Sequence, residues 1–311
     1  RVDPETVAVG TAPRPSSVSM VRTQAPGFYR MMLGEFEVTA LNDGVVSYRA
    51  SDVVTGATQV QIENALGAMG RSDPVGMSYN AYLINTGHRL VLIDTGTGGK
   101  LNESAFFRGA GRLLANLRAA GYRPEQIDEV YITHLGPDHV GGLTRGFQRT
   151  FPNAILRAAK EEVAAFLEPE KSWARDWRLQ FWADLFTPYS SVGKFESFTG
   201  VVTLTPGIRA LATHGHTPGH TSYVVESAGG QLLVLGDVML LEAMHFADPS
   251  LESVFDVDRR AAVAQRQRVL KLAADQDYML AGAHLAFPGV GHVRRSGDGF
   301  RWIPANYEIP D

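Results

Sequence analysis

Apolar and polar positions along the chain switch between two periods, and the switch points carry Gly, Asn, Asp or Pro. The period-two stretches predict strands. Ordered structure is expected to start at Phe28–Leu33, and residues 35–41 alternate cleanly and read as the first strand. Asn42-Asp43-Gly44 then reads as a hairpin turn into a strand at 45–48. A second pair is predicted at 80–85 and 89–94, turning at 86–88. Further strands are expected at 127–133, 154–157, 201–204, 208–213, 221–226, 231–236 and 279–282. Helical spacing appears at 111–121, which ends on Gly121, at 160–167, at about 171–187 with many aromatics, and at about 258–274. Residues 1–26 lack a periodic apolar pattern and hold Pro13 and Pro15, so an extended N-terminal arm is expected there, with one domain over 27–311. Runs of strands with interspersed helices and no linker predict an α/β sheet sandwich covered by helices.

Composition narrows the chemistry. The 311 residues include no cysteine, which excludes disulfides, thiolate metal sites and cysteine nucleophiles. Any metal must be held by His, Asp or Glu. A net charge of -4 disfavours nucleic acid as a partner. No apolar run reaches the roughly 18 residues that span a bilayer, so no membrane partner is expected. The chain opens on Arg1 instead of Met, which suggests that its natural start, and with it any export signal, was removed; the compartment, exported or cytoplasmic, stays open.

Five short segments place His or Asp where a predicted strand ends: Ile93-Asp94-Thr95-Gly96, His134 through Asp138-His139, His214 through His220, Leu235-Gly236-Asp237 and Gly282-Ala283-His284. Neutral imidazole and carboxylate are the ligands zinc accepts where thiolate is missing. His88, His245 and His292 lack this setting and are read as non-ligands.

These motifs, taken in order, resemble the metallo-β-lactamase superfamily, and within it the branch of methyl parathion hydrolase with its lactonase and arylesterase relatives. The resemblance implies an αββα sandwich of two mixed sheets with metals at one edge. It implies one site of His134, His216 and Asp237, and a second of Asp138, His139, Asp237 and His284, with Asp237 bridging. Asp94 takes the place of a supporting aspartate, and His220 is expected to pack beneath the loop. Relatives of this branch are often dimeric and exported, so a homodimer is expected.

One position departs from the motif. The family reads His-x-His-x-Asp-His, whereas Gly136 stands where the middle histidine belongs. The expectation is therefore one Zn2+ per chain, the first site being weakened and a gap left at Gly136 for a water or a substrate atom. Zinc makes hydroxide available near neutral pH, with Asp138 or Asp237 as its hydrogen-bond acceptor and catalytic residue. Phe106, Phe107, Phe166, Trp173, Trp177, Phe181, Trp182 and Phe186 are the aromatic candidates for the pocket and suggest a small apolar or aromatic, uncharged substrate. The reading is a zinc-dependent hydrolase of esters, lactones or organophosphate triesters. Two alternatives stay open: hydrolytic dehalogenation of a halogenated aromatic, and a metal-poor, catalytically silent binding protein.

Overall fold

The computed structural model describes residues 19–101, 107–167 and 177–307. Two seven-stranded mixed sheets lie face to face. The first holds β1 (Phe28–Leu33), β2 (Phe36–Tyr48), β3 (Val75–Asn85), β4 (Leu90–Ile93), β5 (Glu129–Tyr131), β6 (Ile155–Ala159) and β7 (Phe195–Phe198), in that order. The second holds β8 (Val202–Thr205), β9 (Ile208–Ala212), β10 (Thr221–Ser227), β11 (Gly230–Val234), β12 (Met279–Ala281), β13 (Val290–Ser296) and β14 (Gly299–Pro304). Pairings β4–β5, β5–β6, β6–β7 and β11–β12 are parallel and the others antiparallel.

The strands are apolar on both faces because both faces are covered. In β3, Tyr82 and Ile84 face the other sheet, where they meet Ile208, Tyr223 and Val234. Ala81 and Leu83 face outward onto α2 (Leu113–Ala119), packed through Leu113 and Leu117. That layer continues through α3 (Lys160–Leu167) and α4 (Trp177–Ser190), which bring Phe166, Trp182 and Phe186 onto the same core. The second sheet is covered by α5 (Arg259–Gln276) through Val269, Leu270 and Ala273. Each such fully buried side chain contributes about 1.5–3 kcal/mol of transfer free energy. The architecture is thus helix, sheet, sheet, helix. No helix among the described residues is long and apolar enough to cross a membrane.

Three features depart from the sequence expectation. The predicted hairpin at Asn42-Asp43-Gly44 is a bulge inside one continuous strand, the register against β3 shifting between Asn42 and Gly44. The turn that joins β1 to β2 is at Gly34-Glu35 instead. Asp43 mimics a turn residue because its carboxylate accepts hydrogen bonds from Thr97 N and Oγ1, Gly111 N and Leu113 N, tying distant loops to the bulge. Gly44 has φ 154°, and a Cβ there would lie 2.2 Å from the Gly109 carbonyl oxygen. Second, the chain does not close at 279–282, since β13 and β14 follow. Third, helix α1 (Gln59–Ala68) escaped the pattern, although Thr58 and Gln61 form a capping box. Of the expected arm, residues 1–18 lie outside the described residues, and 19–26 carry no helix or strand.

Candidate metal centre and its cavity

Five segments meet at one edge of the sandwich because the strands before them all end there. Asp94 follows β4, residues 133–142 follow β5, His216 follows β9, Asp237 follows β11 and His284 follows β12. Carboxyl ends of adjacent parallel strands converge in this way, which is where α/β sheets place their sites.

The six candidate ligands fall into two groups. His134, His216 and Asp237 form one, and Asp138, His139 and His284 the other, with the offered atoms of each group within 4.8 Å of one another. Asp237 touches both. Its Oδ2 lies 3.2 Å from His216 Nε2 and 3.8 Å from His134 Nε2. Its Oδ1 lies 3.1 Å from His139 Nε2 and 3.2 Å from His284 Nε2. Asp138 Oδ2 sits 3.5 Å from the Nε2 atoms of His139 and His284.

This donor set fits a divalent cation. His139 Nε2 and Asp237 Oδ1 are buried and make no hydrogen bond. Buried polar atoms left unpaired are costly, and a cation among these nitrogens and oxygens satisfies them together. The charges agree. Burial would raise Asp237, but the imidazoles of His284, His139, His134 and His216 outweigh it and hold the carboxyl well below its usual range. Burial works against protonated His139 and His284, yet the carboxylates around them raise both. Burial and the neighbouring His139 lower His134.

Surrounding groups fix the ring orientations. Asp94, in a left-handed backbone at φ 63°, accepts from Thr133 N at 2.9 Å and lies 2.7 Å from His139 Nδ1. His216 Nδ1 lies 2.9 Å from Asp256 Oδ1, and the other Asp256 oxygen accepts from Arg266 at 3.4 Å. Asp256 and Arg266 are fully buried side chains. Arg266 also donates to the carbonyls of Val238 and Leu251. His284 Nδ1 lies 3.2 Å from the Ser78 carbonyl oxygen. His220 lies beneath the loop, fully buried; its Nε2 accepts from Asp237 N at 2.9 Å, and burial first, then His216, push it down to about 3. Gly236, at φ 57°, makes room for that ring, since a Cβ would come within 2.6 Å of His220 Nε2. Glu162 accepts from Leu135 N and Gly219 N, pinning two ligand loops together, and burial raises its carboxyl.

The expected gap at Gly136 is closed. The His134 imidazole fills it, because without a side chain at 136 that ring can swing over the backbone, where its Nε2 comes within 2.5 Å of the position a Cβ would take.

Five of the six ligands, all but His139, floor a cavity of about 320 Å³. Met77, Phe107, Phe166, Trp182, Leu240, Phe255 and Val257 make its apolar lining. Phe181 does not reach it and packs on Trp182, and Phe186 belongs to the core. Phe106, Trp173 and the Trp177 side chain lie outside the described residues. His245 is buried and accepts from Leu240 N and Leu241 N, and His292 pairs with Asp277. The sequence reading missed Asp256 and Arg266, which sit far along the chain from His216 in no motif. It also missed Tyr48 and Tyr79, which line the cavity from β2 and β3. Their hydroxyls share a hydrogen bond, and burial raises both phenols above their usual range.

Comparison with known proteins agrees with this geometry. The chain is 28% identical over 168 residues to an N-acyl homoserine lactonase of Bacillus cereus, covering 50% of this chain and 60% of that protein. It spans about 60% of the length of the curated lactonases it matches. The solved structure of the hydrolase AbOPH, of the beta-lactamase superfamily, superposes with a TM-score of 0.86 at 29% identity, over 92% of this chain and all of that one. AidC, a dizinc quorum-quenching lactonase in complex with a product N-hexanoyl-L-homoserine, superposes with a TM-score of 0.80 at 27% identity, over 91% and 99% of the two chains. The profile of the metallo-beta-lactamase superfamily matches residues 75–284, which hold all six candidate ligands, and the chain belongs to that superfamily.

Proposed function

We propose that the protein is a metal-dependent hydrolase, with zinc as its ion, acting on small apolar esters, lactones or organophosphate triesters. The observation that carries this reading is the pair of three-residue groups, with Asp237 of the first also touching the second, at the floor of an apolar cavity. His134, His216 and Asp237 would hold one ion, and Asp138, His139 and His284, with Asp237, the other. A divalent ion there supplies a hydroxide nucleophile and an electrophile for the substrate oxygen. The chain's own residues orient this machinery: Asp94, Asp256 and the Ser78 carbonyl fix three imidazoles, and Asp138 and Asp237 accept hydrogen bonds from the nucleophile.

No arginine or lysine lines the cavity among the described residues, which supports an uncharged substrate. The lactonase relatives support an acyl substrate, and the likeness to the hydrolase AbOPH supports hydrolysis. Missing the histidine at 136, the first group offers three protein ligands, the number common in catalytic zinc sites, while the second offers four. We propose that the second fills first.

The test is a panel of a nitrophenyl ester, a γ-lactone and an organophosphate triester, assayed with zinc-loaded protein and again after chelation. Turnover of at least one that chelation abolishes supports the reading. No turnover by protein holding at least one zinc overturns it. Chloride release from a halogenated aromatic, without acid release from the panel, would move the assignment to hydrolytic dehalogenation.

A further inference from the structure

The cavity wall carries a polar device that the metal centre leaves unused. Among the described residues its lining is apolar apart from five of the six candidate ligands, all but His139, and three hydroxyl side chains, Tyr48, Tyr79 and Thr217. Thr217 follows His216 in the first group. The tyrosines stand together beside the second, the Tyr79 ring lying edge-on to the His284 imidazole at 5.1 Å between centroids. Tyr79 is almost fully buried, Tyr48 partly exposed, and their hydroxyls are hydrogen-bonded to each other.

The bulge at Asp43 makes this pairing possible. Before it, Ala40 pairs with Tyr82 on the face between the sheets; beyond it, Gly44 pairs with Tyr79 on the opposite face. The extra residue moves Val46 and Tyr48 onto the face of Tyr79 and Met77. A regular strand would have turned Tyr48 away from the cavity. Tyr79 is further held against Phe107, and Tyr48 against Phe255.

We infer that Tyr48, positioned by Tyr79, donates a hydrogen bond to the leaving-group oxygen of the substrate. This rests on the hydrolase reading above. Hydroxide adds to the acyl carbon of RCO–OR′, and the carbon–oxygen bond to R′O then breaks with its electron pair moving onto that oxygen. The acid's proton ends on R′O, so the products are RCOO⁻ and R′OH, and Tyr48 keeps its own proton. Charge that develops on R′O inside an apolar cavity is costly unless a donor meets it. The nucleophile and the acyl oxygen belong to the metal centre. The tyrosine pair offers the hydroxyls beside the second group for the remaining oxygen. Tyr48 is then a catalytic residue and Tyr79 a positioning residue.

The test is a set of esters with one acyl group and three alcohols, ethanol, phenol and 4-nitrophenol, measured with wild type, Tyr48→Phe and Tyr79→Phe. Zinc content and melting temperature are recorded for each protein. Losing a preorganised donor typically lowers kcat by about 100-fold or more. That loss is expected for Tyr48→Phe on the ethyl ester, shrinking through the phenyl ester to a few-fold on the 4-nitrophenyl ester, whose leaving group carries its own charge well. Tyr79→Phe should show the same ranking with smaller losses, and it keeps the test valid should Tyr48→Phe fail to fold. Zinc content should be unchanged in both. Equal losses across the three esters, or none, overturn the proposal while leaving the hydrolase reading intact. Wild-type protein inert on all three, and on the lactone and triester above, overturns that reading and this proposal with it.

Discussion

Placing a side chain at Gly136 is the perturbation whose effect the structure defines most closely. A Cβ there would lie 2.5 Å from His134 Nε2 and 3.0 Å from His139 Cδ2. Carbon contacts are comfortable near 3.5–4.0 Å, so the His134 ring must retreat by roughly 1 Å. That ring is 2% exposed and packs 4.1 Å from the His139 ring and 4.7 Å from the His216 ring, centroid to centroid. Overpacking of this kind costs about 1–3 kcal/mol. Gly136→Ala should therefore lower the melting temperature of the metal-free protein by several degrees, at roughly 2–4 °C per kcal/mol for a chain of this class, and bring no gain in zinc. Gly136→His meets the same obstruction but adds an imidazole to the first group. Losing even a partner behind a ligand weakens metal binding about 10- to 100-fold, and gaining a ligand should strengthen it by at least that. Zinc titration against a chromophoric chelator, with elemental analysis of the dialysed protein, reads both quantities. Stoichiometry should rise towards two in Gly136→His alone. An unchanged stoichiometry in that variant, or an equal gain in Gly136→Ala, would refute the placement of the first site.

Other consequences are open to measurement. His284→Ala removes a ligand from the fuller group and should strip the remaining zinc; metal content equal to wild type would overturn that group's assignment. Arg266→Ala leaves Asp256 buried without its cation, so urea unfolding should show a loss of about 3–5 kcal/mol and zinc affinity should fall through His216; a change below 1 kcal/mol would remove Arg266 from this role. His220 is held neutral in the folded protein, pushed down to about 3. An unfolded imidazole takes its proton near pH 6.5, so the unfolded chain binds more protons between about pH 3 and 6.5. The stability from neutral His220 is therefore whole above pH 6.5 and is lost as pH falls towards 3. His220→Gln should flatten the acid limb of stability against pH in the metal-free protein, and an unaltered slope would contradict this.

The chain displayed its strand ends more readily than its strand partners. Asp94, His134, Asp237 and His284 each close a short apolar run, and such runs read the same in isolation as in a covered sheet. Asn42-Asp43-Gly44 shows the opposite case. The same three residues suit a hairpin turn or a bulge, and what decides is Asp43 capturing amides of Thr97, Gly111 and Leu113, none of them near in sequence. Strands β13 and β14 hold Arg294, Arg295 and Arg301 on exposed positions, which masked their alternation. At the site, the ligand residues were legible because histidine and aspartate cluster in motifs. Asp256, Arg266 and the Tyr48–Tyr79 pair carry no motif, since each becomes relevant through one long-range neighbour. The aromatic segment was legible only as aromatic: Trp182 faces the cavity while Phe181 and Phe186 fill space elsewhere, a distinction that helix packing makes and spacing does not.

The division of ligands between the two sheets has a mechanical consequence. His134, Asp138 and His139 come from loops of the first sheet, and His216, Asp237 and His284 from loops of the second. Neither group of three can be completed from one half of the molecule. An ion in either group is thus a rivet through the seam of the sandwich, and its binding energy resists prising the halves apart. Along that seam, more than within either half, loading and stripping the ion should change how readily the backbone breathes.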